Sequence, residues 1–320
     1  MKILCTMPEM KDYFDEIGLS SYDICYKKET ELKDEELLQY EVAIGILHKE
    51  TSKKMTNLRL YQLAMAGSDF IRREDFNENC KIANASGTFG IAISEYMIGG
   101  LIALMRNFSY YHDNQKKHLW KRIPSVSTIC SSTILVVGLG DIGHNFAKKA
   151  SAMGAVVYGI RRHPDDKPSY IQECGDFGML DEYLKLADIV ALCLPRNKET
   201  DNIMNAQRLR SMKRGSYLIN VGRGNCLDYD ALFECLSDNI AGALLDVFKE
   251  EPLKADSPLY DCQNVIITPH ASGNLDLPIT KREFAKIVKY NLQHLDDGKL
   301  MNVVDLETGY RMYNKKTNNV

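Results

Sequence analysis

The chain is poor in the features that mark several large classes of protein. Apolar residues never run together for the ~20 positions that a membrane span needs. The start, Met1-Lys2-Ile3-Leu4-Cys5-Thr6-Met7-Pro8, has an apolar run far too short for the hydrophobic core of a signal peptide. Neither sign of charge dominates: 40 Lys and Arg against 43 Asp and Glu leave a net charge of -3, which gives no electrostatic reason for a nucleic-acid partner. No C-x-x-C pair occurs among the nine cysteines (Cys5, Cys25, Cys80, Cys130, Cys174, Cys193, Cys226, Cys235, Cys262). Their odd number and wide scatter argue against a disulfide framework, a zinc site or a dithiol redox pair, so no metal is expected. These absences lead to the expectation of a cytoplasmic protein with neither membrane nor nucleic acid as partner.

What is present is an ordinary globular composition, 45% hydrophobic and 26% charged, in 320 residues. That length exceeds what one hydrophobic core holds comfortably, so two domains are expected. Short apolar runs alternate with amphipathic stretches, the pattern of β-α units feeding a parallel sheet. Ile3–Cys5, Val42–Leu47 and Leu60–Ala64 read as strands, and Ile91–Leu104 has the length of a buried helix. The polar, aromatic-dotted stretch Arg106–Ser132 separates these from a second series: Ile134–Val137, Ala155–Ile160, Ile189–Leu194, Tyr217–Asn220, Ala243–Asp246 and Val265–Thr268. Those six apolar runs suffice for a doubly wound parallel sheet. Ile279–Gly298 then reads as a helix that returns the chain to the first domain, and the polar tail Tyr313–Val320 reads as frayed.

Gly138-Leu139-Gly140-Asp141-Ile142-Gly143 follows the strand ending at Val137 and opens the helical stretch Asn145–Met153. Between strand and helix, such glycines allow a tight bend, a close backbone approach to a diphosphate and close helix packing, which is the Rossmann dinucleotide turn. The next strand ends in Ile160-Arg161-Arg162, where an NAD enzyme carries an acidic residue for the ribose 2′-hydroxyl. Two guanidinium groups would instead receive a 2′-phosphate through charge-assisted hydrogen bonds, so NADP(H) is expected in preference to NAD(H), with Asp165 and Asp166 near enough to compete.

Three further segments sit at the ends of predicted strands, where open α/β sheets place their ligands. In Asn220-Val221-Gly222-Arg223-Gly224, glycines flank an arginine that can project into a cleft. Leu245-Asp246-Val247-Phe248-Lys249-Glu250-Glu251-Pro252 delivers Asp246 from a strand and sets Glu251 before a proline, which biases it toward an extended conformation. Thr268-Pro269-His270-Ala271-Ser272-Gly273 places a lone histidine after another strand. Each residue has an ordinary structural reading by itself.

In this order and spacing, the four motifs resemble the D-isomer-specific 2-hydroxyacid dehydrogenase family. The resemblance extends to Ala66-Gly67-Ser68-Asp69, similar to the family's substrate loop, and to Ser94-Glu95. Arg106 and Trp120 resemble the glyoxylate and hydroxypyruvate reductase branch. It implies hydride transfer between NAD(P)H and a small 2-keto acid, giving a D-2-hydroxy acid, with Arg223, Glu251 and His270 as catalytic residues. His270 would donate the proton, Glu251 would favour its charged form, and Arg223 would bind the substrate carboxylate and polarise the keto oxygen. Ala66 and Gly67 are implied as substrate contacts together with Arg223 and His270. Gly138, Gly140, Asp141, Ile142, Gly143, Arg161, Arg162, Leu194, Pro195, Thr200, Val221, Gly222, Arg223, Asp246, His270, Ser272 and Gly273 are implied at the cofactor.

The same resemblance implies a flavodoxin-like α/β substrate domain built from both chain ends (1–105 and 272–320) and a Rossmann domain between them (106–271). It also implies a homodimer formed through the helix near 91–104. A non-catalytic alternative stays open at this point, because dinucleotide-sensing corepressors share the fold and even the catalytic residues.

Overall fold

The computed structural model describes residues 1–123, 125–164, 167–308 and 312, and the chain divides into two compact units, Met1–Phe89 with Leu275–Val320, and Gly90–Asn274. Asp165, Asp166 and the tail Tyr313–Val320 lie outside the described residues.

The terminal unit holds a five-stranded parallel sheet. Its strands are β1 (Lys2–Cys5), β2 (Asp23–Tyr26), β3 (Val42–Gly45), β4 (Leu60–Leu63) and β5 (Lys81–Ala83), in the order β2-β1-β3-β4-β5. This is the doubly wound flavodoxin-like order. β3 and β4 are buried at every position, as strands covered on both faces must be. The helix Pro278–Gln293 brings the C-terminal part of the chain into this unit by burying Phe284, Ala285, Ile287 and Val288. Asn291, fully buried on that helix, donates to Gln62 Oε1 on β4 at 2.7 Å, so the polar groups taken out of water are paired.

The central unit holds seven parallel strands: β6 (Thr133–Val137), β7 (Val156–Ile160), β8 (Glu173–Gly175), β9 (Ile189–Leu192), β10 (Ser216–Asn220), β11 (Ile240–Leu245) and β12 (Val265–Ile267). Their order, β12-β11-β10-β9-β6-β7-β8, is the Rossmann order with an added edge strand, and its switch point lies between β6 and β9. Lateral pairing matches Val137 with Leu192, Leu192 with Asn220, Asn220 with Leu245, and Leu245 with Ile267. Five strands therefore end in line, and the loops after them emerge along one edge.

The apolar helix Gly90–Met105 belongs to the central unit, so the division falls at Phe89/Gly90 and Asn274/Leu275, where the sequence placed it near 105 and 272. The reason is packing. Lys149 on the helix Asp141–Ala152 donates to the buried Ser94 hydroxyl at 2.7 Å, and a Cβ on Gly100 would collide with Leu244 of β11. Among the described residues, no helix is long and apolar enough to cross a membrane.

Candidate active site

The loop after β6 is shaped by the closeness of its own backbone. Gly138 has φ +102°, and a Cβ there would lie 2.7 Å from the Cys193 carbonyl oxygen after β9; one on Gly143 would lie 2.1 Å from the Gly138 oxygen. Only glycine admits both contacts. A Cβ on the exposed Gly140, in contrast, would meet no protein atom within 4 Å. The approach to the first amides of the helix Asp141–Ala152 is thus clear, as a diphosphate requires. Asp141 turns its carboxylate away to the start of another helix, accepting from the Gly90 N–H at 2.8 Å, while Ile142 is half-buried.

The turn also abuts the end of β7. The Gly138 N–H donates to the Ile160 carbonyl at 2.9 Å, so the half-buried Arg161 and exposed Arg162 follow directly beside it. On the other side of the switch point, Leu194 is buried and Pro195 half-buried. Thr200 is fully buried and its hydroxyl donates to the Pro195 carbonyl at 2.7 Å, closing the loop of which it is a part.

After β10, Val221 and Gly222 are buried, and Asn220 Oδ1 accepts from the Gly222 N–H at 3.1 Å. The half-buried Arg223 donates from Nη1 to the Gly222 carbonyl at 3.0 Å. Farther along the edge, Glu251 and His270 meet: His270 Nδ1 lies 2.9 Å from Glu251 Oε2. An ionised carboxylate only accepts, so Nδ1 carries the proton and Nε2 is the nitrogen left to exchange one. The other Glu251 oxygen accepts from the Phe248 N–H at 2.9 Å, which fixes the carboxylate at both ends.

His270 itself has φ +52°, unusual for a residue with a side chain, and Asp246 explains how that backbone is held. The His270 N–H donates to the Asp246 carbonyl at 2.8 Å. The Asp246 carboxylate, 1% exposed, accepts from the Thr268 hydroxyl, the Ala271 N–H at 2.8 Å, and both the N–H and the hydroxyl of Ser272. Tyr96 joins from the helix Gly90–Met105 through its hydroxyl, 2.7 Å from that of Thr268. The half-buried Gly273 continues the same turn. Sequence reading found Asp246 and His270 but missed Thr268 and Tyr96 as their supports, because no local spacing links a helix near residue 96 to a loop near 268. Ala66 and Gly67 lie half-buried in the terminal unit, in the loop after β4, where Asn84 Nδ2 donates to the Ala66 carbonyl at 2.7 Å.

A Rossmann-ordered sheet with a glycine turn at its switch point, and a histidine oriented by a carboxylate on the same edge, defines an oxidoreductase that uses a nicotinamide dinucleotide. Residues 98–272 match the family described as D-isomer specific 2-hydroxyacid dehydrogenase, NAD binding domain, and the chain belongs to that family. It is 32% identical to glyoxylate reductase from Thermofilum pendens over 249 residues, 74% of this chain and 71% of that protein. A D-isomer specific 2-hydroxyacid dehydrogenase family protein from Aeromonas salmonicida shares its fold with a TM-score of 0.83 at 28% identity, over 95% of this chain and 99% of that one. The D-isomer specific 2-hydroxyacid dehydrogenase from Xanthobacter autotrophicus, solved in complex with NADPH and MES, gives 0.82 at 25% identity over 97% and 99%. The chain is thus an NAD(P)-dependent enzyme interconverting 2-keto and 2-hydroxy acids.

Proposed function

We propose that the enzyme reduces a small 2-keto acid, of glyoxylate, hydroxypyruvate or pyruvate size, to the D-2-hydroxy acid, with NADPH preferred as reductant. The observation that carries this reading is the 2.9 Å contact between His270 Nδ1 and a Glu251 carboxylate that is itself clamped by the Phe248 amide. Such a pair presents one imidazole nitrogen as a proton donor in a fixed orientation.

A dinucleotide held by these residues would supply a hydride for C2 of the substrate. His270 gives its Nε2 proton to the carbonyl oxygen, so the C=O becomes CH–OH. Arg223 pairs with the substrate carboxylate and draws charge onto the keto oxygen, stabilising it where it accumulates. Ala66 and Gly67 serve as amide donors to the substrate carboxylate. The glycine turn from Gly138 to Gly143, with the amides of Asp141 and Ile142, takes the diphosphate; Leu194, Pro195 and the loop closed by Thr200 line the dinucleotide, as do Val221 and Gly222. Asp246, Ser272 and Gly273 shape its nicotinamide end.

The NADPH preference rests on Arg161 and Arg162, which follow the strand end bonded to the glycine turn, and is supported by the NADPH held by the relative from Xanthobacter autotrophicus. A homodimer is proposed through the helix Gly90–Met105, whose Ile91, Ile98 and Ile102 stay only half-buried in one copy, and a cytoplasmic location suits the nine free cysteines.

The test is oxidation of NADPH and NADH against glyoxylate, hydroxypyruvate, pyruvate and longer 2-keto acids. Turnover favouring NADPH and the smaller acids is expected; no turnover with any of them overturns the reading. Arg161→Asp should move the NADPH-to-NADH ratio of kcat/KM toward NADH, and an unaltered ratio removes Arg161 from cofactor choice.

A further inference from the structure

Tyr229 has no place in the motifs above, yet it ends a chain of hydrogen bonds that runs to His270. It is the first residue of the short helix Tyr229–Cys235, whose cap Asp228 accepts from the Ala231 N–H at 3.1 Å. Its hydroxyl donates to the Val247 carbonyl at 2.6 Å, and its ring lies 5.3 Å from that of Phe248. That carbonyl and the Phe248 N–H belong to one peptide unit, and the Phe248 N–H is the group that clamps Glu251 Oε1 at 2.9 Å. Glu251 Oε2 then meets His270 Nδ1 at 2.9 Å. The series is continuous: the phenol O–H donates to the carbonyl, the amide N–H donates to the carboxylate, and the imidazole N–H donates to the same carboxylate from its other oxygen.

Two physical effects give the series a consequence. A donor on a peptide carbonyl polarises the peptide and strengthens what its N–H donates, so the bonds reinforce one another. The next peptide, Phe248–Lys249, is closely packed as well, since a Cβ on Gly224, next to Arg223, would come within 1.9 Å of the Phe248 carbonyl carbon, which limits how far Phe248 can shift. Burial pushes the Tyr229 hydroxyl far above the usual phenol range, so it stays a donor at any working pH.

We propose that Tyr229 is a positioning residue for proton transfer: through the Val247–Phe248 peptide it sets where Glu251 stands, and through Glu251 the orientation and tautomer of His270. The inference rests on the roles proposed above for Glu251 and His270.

Tyr229→Phe tests it, because it keeps the ring against Phe248 and removes only the hydroxyl. The holoenzyme variant should lose about three- to ten-fold in kcat for keto-acid reduction, the span of one hydrogen bond's net worth. KM for both substrates and the NADPH dissociation constant should stay within about two-fold, and melting should change little. In a Glu251→Gln background the same substitution should add no further loss. Full additivity there would show action by another route, such as Asn220, which also acts on the hydroxyl and braces the Arg223 turn, and would overturn the proposal. Long-range proton–nitrogen NMR of the His270 ring, assigned by its loss in His270→Ala, reads the tautomer without turnover. Mixed tautomers in Tyr229→Phe are expected, and a spectrum identical to wild type overturns the proposal. If the wild-type enzyme reduces no 2-keto acid, the functional reading falls while this spectrum still decides the role of Tyr229.

Discussion

At the scale of residues, the edge of the central sheet carries few side chains proposed for chemistry and many that hold them in place. His270 sits at φ +52°, a conformation costing on the order of 1–3 kcal/mol, and persists because Asp246 gathers the N–H and hydroxyl donors on both sides of it. An imidazole in that position can be removed without touching the turn's other hydrogen bonds. His270→Ala should therefore lower kcat/KM for 2-keto acid reduction by about 10²–10⁴, the usual worth of a positioned acid, while NADPH still binds near its wild-type affinity. Steady-state rates and a fluorescence titration of NADPH check the two halves; wild-type rates would take His270 out of proton transfer. Arg223, Glu251 and His270 were all legible in the sequence as residues after strands. Their partners were not: Thr268, Tyr96 and Tyr229 act through side-chain bonds between segments far apart in the chain, and nothing local in composition marks a hydroxyl as a tertiary donor.

At the scale of elements, legibility followed burial. β6, β9, β10 and β11 are central strands covered on both faces, so they read as apolar runs, and their observed bounds differ from the expected ones by a few residues at most. β2, β5 and β8 were missed, and all three are short strands at sheet edges with an exposed first residue, where pairing on one side demands little hydrophobicity. The helix after the glycine turn begins at Asp141, earlier than the Asn145 expected, because a glycine-rich opening carries no apolar periodicity even when its backbone is already helical. That opening is the element proposed above to take the diphosphate. Gly143→Ala would drive a methyl to 2.1 Å from the Gly138 carbonyl oxygen, and backbone cannot yield as a flexible side chain would. The expected outcome is a loss of NADPH affinity of at least about ten-fold, equivalent to roughly 1.4 kcal/mol, with the fold retained. Titration of NADPH measures it, and undiminished affinity would show that the turn does not carry the diphosphate.

At the scale of the whole molecule, the two-unit plan was legible from length and from the two strand series, whereas the boundary was not. Ile91–Leu104 reads as apolar from either side, and only its packing on the helix Asp141–Ala152 and on Leu244 assigns it to the central unit. The cysteines report on both units at once, since all nine are free and they are spread along the chain. Burial pushes the thiols of Cys5 and Cys80 in the terminal unit up to about 12, and in the central unit those of Cys193 to about 12 and Cys226 to about 11. A thiol alkylates through its thiolate, and a raised value keeps the thiolate scarce until the pH approaches it, so at pH 8 these four should be nearly silent in the folded protein. Cys130 is exposed and should react first. Iodoacetamide at pH 8, followed by peptide mass spectrometry, should place the early label on Cys130, while in denaturant all nine should take it. Early labelling of Cys5 or Cys80 alone would mean that the terminal unit opens independently of the central one, and early labelling of Cys193 or Cys226 would mean the converse, so one experiment measures whether the two units share their stability.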